Sequence, residues 1–235
     1  MNIIDTYTTF YNLCKNGNLD KVKEFYDKNK DNIYLEMNNY NIFKILCINN
    51  HLDIIKWIYF LCDWNISIDP LYNDIYETEN ALCFCCRYNY IDIAKYIVEI
   101  NAIDIHNNND EAFKVACENN NIKIAKWLYS IGDIDIHSSY DSCFRFACEY
   151  NYFDMAKWLY SLGNVDIHSL NEYAFRRSCY NGYIDIAKWL YSIGSININA
   201  DNNASFIEAC INKHLNIAKW IYSLDNNIDI TGIYL

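Results

Sequence analysis

Proline is almost missing from this 235-residue chain, where Pro70 stands alone, and glycine occurs only six times. So little glycine leaves no Gly-rich loop to cradle a phosphate, and the glycines inside the repeats described below stand where helices would end. Basic charge is also short: 19 Lys and Arg face 30 Asp and Glu, for a net charge of -11. That balance argues against nucleic-acid binding through an overall basic field. No apolar run approaches the roughly 18 residues that a membrane-spanning helix requires. The longest, Ile54 to Trp64, is interrupted by Lys56 and Asp63. The first ten residues carry Asp5 and three threonines in place of a basic start and an apolar run, so no secretory leader is expected. These absences predict a soluble cytoplasmic protein that contacts neither nucleic acid nor membrane.

What is present is one phrase used many times. IAKWLYSIG begins at Ile124 and at Ile186, with the near copy MAKWLYSLG at Met155. Trp127, Trp158, Trp189 and Trp220 follow at intervals of 31, and Tyr96 fills the same slot one interval earlier. Ten residues before this slot stands a cysteine in every copy: Cys14, Cys47, Cys86, Cys117, Cys148, Cys179 and Cys210. Seven units result, strict from Cys86 onward and looser towards the N-terminus. Their approximate spans are 6–36, 39–69, 78–108, 109–139, 140–170, 171–201 and 202–232, within a single domain 1–235 that no linker interrupts. A fixed period of this size means stacked supersecondary units, none of which buries its apolar face alone. Seven of the eleven cysteines share one slot, which is how a small buried hydrophobe behaves in a reducing compartment, not a disulfide framework.

Within a unit, Ala112, Phe113, Val115 and Ala116 recur at helical spacing, as do Ile122, Ala125, Leu128 and Tyr129 with Ile124, Trp127 and Ile131. Two short amphipathic helices are predicted. The slot between them holds Gly17, Asn50, Asn89, Asn120, Asn151, Gly182 and Lys213. Glycine and asparagine tolerate left-handed backbone angles at least cost, so this slot ends the first helix, and Lys213 alone fits it poorly. Gly132, Gly163 and Gly194, with Asn101 and Asp225, end the second helix. A period-two stretch follows, such as Ile134-Asp135-Ile136-His137, and reads as a short extended finger leading to the next unit. Alanines at 94, 125, 156, 187 and 218 let the helices approach closely, and the tryptophan ladder is expected on the face that meets the next unit.

The stretch ACENNNIKIAKWLY, Ala116 to Tyr129, is similar slot for slot to the ankyrin repeat, with Asn120 in the place of the turn glycine. The resemblance covers essentially the whole chain. It departs from the family in lacking the Thr-Pro-Leu-His opening of the first helix and in a period of 31 where 33 is usual. The implied fold is an all-α ankyrin-repeat solenoid of about seven helix-turn-helix units with short fingers. Short Asn- and Ile-rich units with KWLYS and IDIH resemble in particular the ankyrin proteins of giant DNA viruses of amoebae, which would make this a viral protein acting on a host factor.

No catalytic constellation stands out from the repeat background, and neither a cofactor nor a metal is expected. His106, His137 and His168 recur along the array, but stacked helices lie about 8–10 Å apart. Imidazoles sharing one zinc must each come within about 2.1 Å of it, so successive rungs do not share an ion. Cys62, Cys83, Cys85 and Cys86 form the only local cysteine cluster and define the rival reading, a metal-binding or enzymatic protein centred on 62–86. A second rival, an adaptor for ubiquitin ligation, would normally need a further domain.

In the ankyrin family the partner surface is usually the concave side, made by the fingers and by the exposed residues of the first helix. Carried over by slot, this points to Glu79, Asp110, Asp141 and Glu172 before helix one. Near its end come Arg87, Tyr88, Glu118, Asn119, Glu149, Tyr150, Tyr180 and Asn181. Such an acidic, tyrosine-rich set predicts a monomeric module binding a protein partner that bears a basic segment. Lys114, Arg145 and Arg176 stand close enough in sequence to neutralise part of it. The longer interval before Cys86 adds an enlarged finger at 62–80, with Trp64, Tyr72 and Tyr76 as a second contact candidate.

Overall fold

The computed structural model describes residues 3–33, 35–62, 81–100 and 104–228. The enlarged finger beyond Cys62, including Glu79, lies outside them. Fourteen α-helices form among the described residues, and they come in seven pairs. The chain divides into two compact units after the second helix of a repeat, Met1–Gly132 and Asp133–Leu235.

The N-terminal unit holds α1 (Ile3–Asn16), α2 (Leu19–Asn29), α3 (Leu35–Ile48), α4 (Leu52–Cys62), α5 (Ala81–Tyr88), α6 (Ile91–Glu99), α7 (Asn107–Glu118) and α8 (Ile122–Ile131). First helices stack on first helices, α1 on α3, α3 on α5 and α5 on α7, and each also packs on its own second helix. The C-terminal unit repeats this with α9 (Ser138–Glu149), α10 (Phe153–Ser161), α11 (Ser169–Tyr180), α12 (Ile184–Ile193), α13 (Ala200–Ile211) and α14 (Leu215–Leu224).

The core of each pair is the apolar set read from the period. Phe113, Phe144, Phe175 and Phe206 are fully enclosed, as are Ala125, Ala156, Ala187 and Ala218. The repeated thiols Cys14, Cys47, Cys86, Cys117, Cys148 and Cys179 are buried and in no disulfide, while Cys210 is half-buried. Burial disfavours the thiolate, pushing Cys14 up to about 12 and Cys148 and Cys179 well above the usual thiol range.

Every residue of the inter-helix slot is left-handed, from Gly17 at φ 75° and Asn120 at 56° to Gly182 at 85°. Lys213 obeys as well, at 63°. At Gly182 two demands coincide, because a Cβ would also stand 2.7 Å from the His214 ring. The glycines after the second helix divide differently: Gly163 is left-handed, but Gly132 and Gly194 are extended. The reason for glycine at 194 is packing, since a Cβ there would run into the Ile167 side chain.

The fingers contain no strand among the described residues. The described fingers turn just before the next helix: Asp135 Oδ1 accepts the His137 amide at 3.0 Å, and Asp166 and Asn197 do the same for His168 and Asn199. The helices α7, α9, α11 and α13 then open on three successive left-handed residues, Asn108–Asp110, Ser139–Asp141, Leu170–Glu172 and Asp201–Asn203.

Trp57, Trp189 and Trp220 lie at the junctions between pairs, and the rings they meet belong to the preceding pair. Trp189 packs on Phe153, Tyr160 and Phe144 with ring centroids 5.4, 5.6 and 6.1 Å apart, and Trp220 packs on Tyr191 and Phe175. The residue that faces onward is the tyrosine two positions after the tryptophan slot. A helical period identifies the junction face, but it carries no information about which neighbour the face meets.

Candidate functional site

The three acids placed before helix one are buried, with Asp110, Asp141 and Glu172 at 7%, 5% and 6% exposure. They are engaged in bonds within the fold. The imidazole Nδ1–H four residues earlier donates to each: His106 to Asp110 and His137 to Asp141 at 2.7 Å, and His168 to Glu172 at 2.9 Å. In the C-terminal unit the same carboxylates reach the next finger. Asp141 Oδ2 accepts the Asp166 amide and Glu172 Oε1 the Asn197 amide, both at 3.1 Å. A buried carboxylate must be hydrogen-bonded, and here one group closes its own left-handed turn and pins the following unit. The recurring histidines belong to this device.

The basic slot is also structural. Arg145 donates to the carbonyls of Tyr140 and Ser139 at 2.8 and 2.9 Å, and Arg176 to that of Asn171 at 2.8 Å. A left-handed turn leaves carbonyls without helical donors, and the five N–H groups of a guanidinium supply them. Arg176 further pairs with Asp201 at 2.8 Å.

Near the end of helix one the predicted residues do come together. In the C-terminal unit Glu149 accepts the Tyr173 hydroxyl at 2.8 Å and the Arg177 Nε–H at 2.9 Å. The Asn181 amide donates to the Glu149 carbonyl at 2.9 Å, and the Arg177 guanidinium lies 4.3 Å from the Tyr180 ring. Arg145 covers the other side of this group, 5.0 Å from the Tyr173 ring. Burial first, and then the donated hydrogen bond to Glu149, push the Tyr173 phenol up. Most of these polar groups are satisfied by one another, which leaves little acid free.

What remains exposed is aromatic. Tyr150 stacks on Phe146 with centroids 4.2 Å apart and planes at 22°, Tyr152 closes the cluster, and Tyr150 keeps 49% of its surface open. In the N-terminal unit Phe84, Tyr88 and Tyr90 repeat the arrangement, with Tyr88 4.5 Å from Phe84 and 52% open. Arg87 and Glu118 are exposed in that unit. Burial raises the Glu118 carboxyl above its ordinary range, with the Glu111 charge adding to the effect and Arg87 and Lys114 opposing it. Asn119 is spent on the Val115 carbonyl at 2.8 Å. Sequence reasoning missed Phe84, Phe146, Tyr152, Tyr173 and Arg177. The available signal for two of them was Phe84 and Phe146 standing four residues before Tyr88 and Tyr150, the spacing at which helix side chains meet.

Cys83, Cys85 and Cys86 are buried in α5, and the side chain of Cys62 lies outside the described part. Among the described residues no group of three or more His, Cys, Asp or Glu is placed to hold a metal ion. No described helix is long and apolar enough to cross a membrane.

The model of the family described as ankyrin repeats (3 copies) matches residues 47–139 and again 144–232, well over half of the chain. No curated protein matches the sequence.

Proposed function

The chain belongs to the ankyrin-repeat family, whose members generally act as protein–protein interaction modules, and on that premise we propose that it is a non-catalytic module binding a protein partner through the ends of its first helices. The observation that carries this reading is the exposed tyrosine packed against a phenylalanine of its own helix, Tyr150 stacked on Phe146 and Tyr88 tilted by 36° on Phe84. A stacked phenol has already lost its rotamer freedom and offers a large amphipathic surface, the character of an interface hot spot. The partner segment is basic: tyrosine faces accept Lys or Arg through the ring quadrupole, and the net charge of -11 steers a cationic chain towards them.

Within the N-terminal unit Arg87 and Glu118 join Tyr88 in this reading, and within the C-terminal unit Tyr180 joins Tyr150. The buried acids Asp110, Asp141 and Glu172 drop out of it, and Glu149, Asn119 and Asn181 support it from within. A cytoplasmic monomer that acts on a host factor, as the giant-virus resemblance implies, is part of the same proposal.

Affinity capture from amoebal lysate tests it, with the wild-type chain and a Tyr88→Ala/Tyr150→Ala variant as baits. The wild type should retain a defined partner that the variant loses by tenfold or more, with the loss reproduced by a lysine- and arginine-depleted version of that partner. Equal retention by both baits contradicts the assignment.

A further inference from the structure

Two neighbouring slots of the second helix break the period together. The slot two residues after the tryptophan slot holds Tyr26, Tyr59, Tyr129, Tyr160, Tyr191 and Tyr222, but in α6 it holds Val98. The slot after that is serine in every later unit, Ser130, Ser161, Ser192 and Ser223, each donating to the carbonyl of its own tryptophan, whereas α6 carries Glu99. Elsewhere in the N-terminal unit the tyrosine of this slot stands edge-on to the aromatic of the following pair, as Tyr26 does to Trp57 and Tyr59 to Tyr96. Valine is too short to do so. Between α6 and α8 a groove of about 420 Å³ opens instead, with Trp127, Val98, Ile105 and Ile131 as its apolar walls. Lys95, Glu99 and Asp104 also line it, so two carboxylates face one ammonium.

We propose that this groove binds an arginine side chain of a protein partner, its guanidinium lying against Trp127 in the place of the missing phenol and donating to Glu99. The two departures from the period select this occupant jointly: losing the tyrosine removes a ring from beside the indole, and gaining the glutamate puts negative charge at the vacated place. A neutral ring would use the first change and waste the second. A guanidinium uses both, because it is planar, weakly hydrated, stacks on aromatic faces and pairs with carboxylates through its fork of donors. Its methylene stem suits the aliphatic walls. Lysine carries the same charge as a compact, strongly hydrated ammonium and fits less well. Asp104 Oδ1 already holds the His106 amide at 2.9 Å, which leaves Glu99 as the main acceptor and Asp104 as a supporting charge. The C-terminal unit contains the same combination within the chain: Arg177 lies 4.3 Å from the Tyr180 ring while its Nε–H donates to Glu149 at 2.9 Å. The groove shares no residue with the tyrosine stacks, so it stands or falls independently of them.

Titration of the isotopically labelled full chain with the peptide acetyl-Gly-Arg-Gly-amide at physiological salt tests this, following the Trp127 indole N–H resonance, which is assigned by its loss in Trp127→Phe. The resonance should shift saturably in the millimolar range, with a Kd about fivefold lower than for acetyl-Gly-Lys-Gly-amide, whose equal charge reports bulk attraction alone. Val98→Tyr should abolish the binding and Glu99→Ser should weaken it by about fivefold. Both variants install residues that other units carry at these slots, so the fold is kept. Absence of a shift with the arginine peptide, equal affinity for the lysine peptide, or undiminished binding in Val98→Tyr overturns the proposal. Tighter binding of acetyl-Gly-Tyr-Gly-amide would assign the groove to a neutral ring and overturns it as well.

Discussion

The indole of Trp189 stands edge-on to the phenol of Tyr160, their centroids 5.6 Å apart and their planes at 84°. The relationship recurs at the same pair of slots. Tyr26 meets Trp57 at 5.5 Å and 88°, Tyr59 meets Tyr96 at 5.9 Å and 82°, and Tyr191 meets Trp220 at 5.8 Å and 87°. The positive ring edge of one residue faces the negative face of the other, an arrangement worth about 0.5–1.5 kcal/mol beyond area burial. Because each helix pair contacts only its neighbours, these junctions set how well a unit coheres. Polar bonds run beside them: the Asn121 amide donates to the Cys86 and Arg87 carbonyls at 2.7 and 2.8 Å, and the Tyr90 hydroxyl donates to that of Ile48 at 3.3 Å.

Replacing Asp141 by alanine should destabilise the C-terminal unit by about 2–3 kcal/mol, since it strips partners from the His137 ring and the Asp166 amide together. Asp141→Asn retains an acceptor and should cost about half as much. Urea denaturation of the two variants measures this, and equal, negligible losses would remove the carboxylate from the account.

Lys213 occupies a left-handed slot that six other units fill with asparagine or glycine. A left-handed turn costs an ordinary residue about 1 kcal/mol, so Lys213→Gly should stabilise the protein by several tenths of a kcal/mol despite the greater freedom of glycine in the unfolded chain. An unchanged or lower denaturation midpoint would count against the strain at this position.

The buried thiols predict a pH dependence. A free thiol ionises near 8.5, whereas burial holds Cys14 up to about 12 and raises Cys148 and Cys179. Above pH 8.5 the unfolded chain releases protons that the folded one keeps. This contribution to stability is therefore complete below about 8.5 and declines as pH rises towards the folded values. Alkylation followed by mass spectrometry should modify half-buried Cys210 well before Cys148 at pH 8. Comparable rates at the two sites would show that the ladder is open to solvent.

The turn slots, the apolar core and the thiol ladder were legible in the sequence because each is a constraint within a single unit. Asn120 and Asn151 announce positive φ by residue type, and Phe144 and Ala156 announce burial by period. What was not legible lies between units. The period shows that Trp189 occupies a junction but not that it looks back at Tyr160, since both neighbours are copies of one pattern. Asp141 and Glu172 read as surface acids because charged residues are seldom buried. The histidine four residues before each was the sign that they were not. The aromatic stacks were half legible, Tyr88 and Tyr150 as exposed tyrosines but not Phe84 and Phe146 beneath them.

The account rests on adjacent pairs being joined by their aromatic rings, and a double-mutant cycle on Tyr160→Ala and Trp189→Ala measures that join directly. Each single change should destabilise the C-terminal unit by about 2–4 kcal/mol, and the pair should fall short of the sum by about 1 kcal/mol. A sum met within about 0.3 kcal/mol would mean that the two rings do not interact, contradicting the junction on which the rest is built.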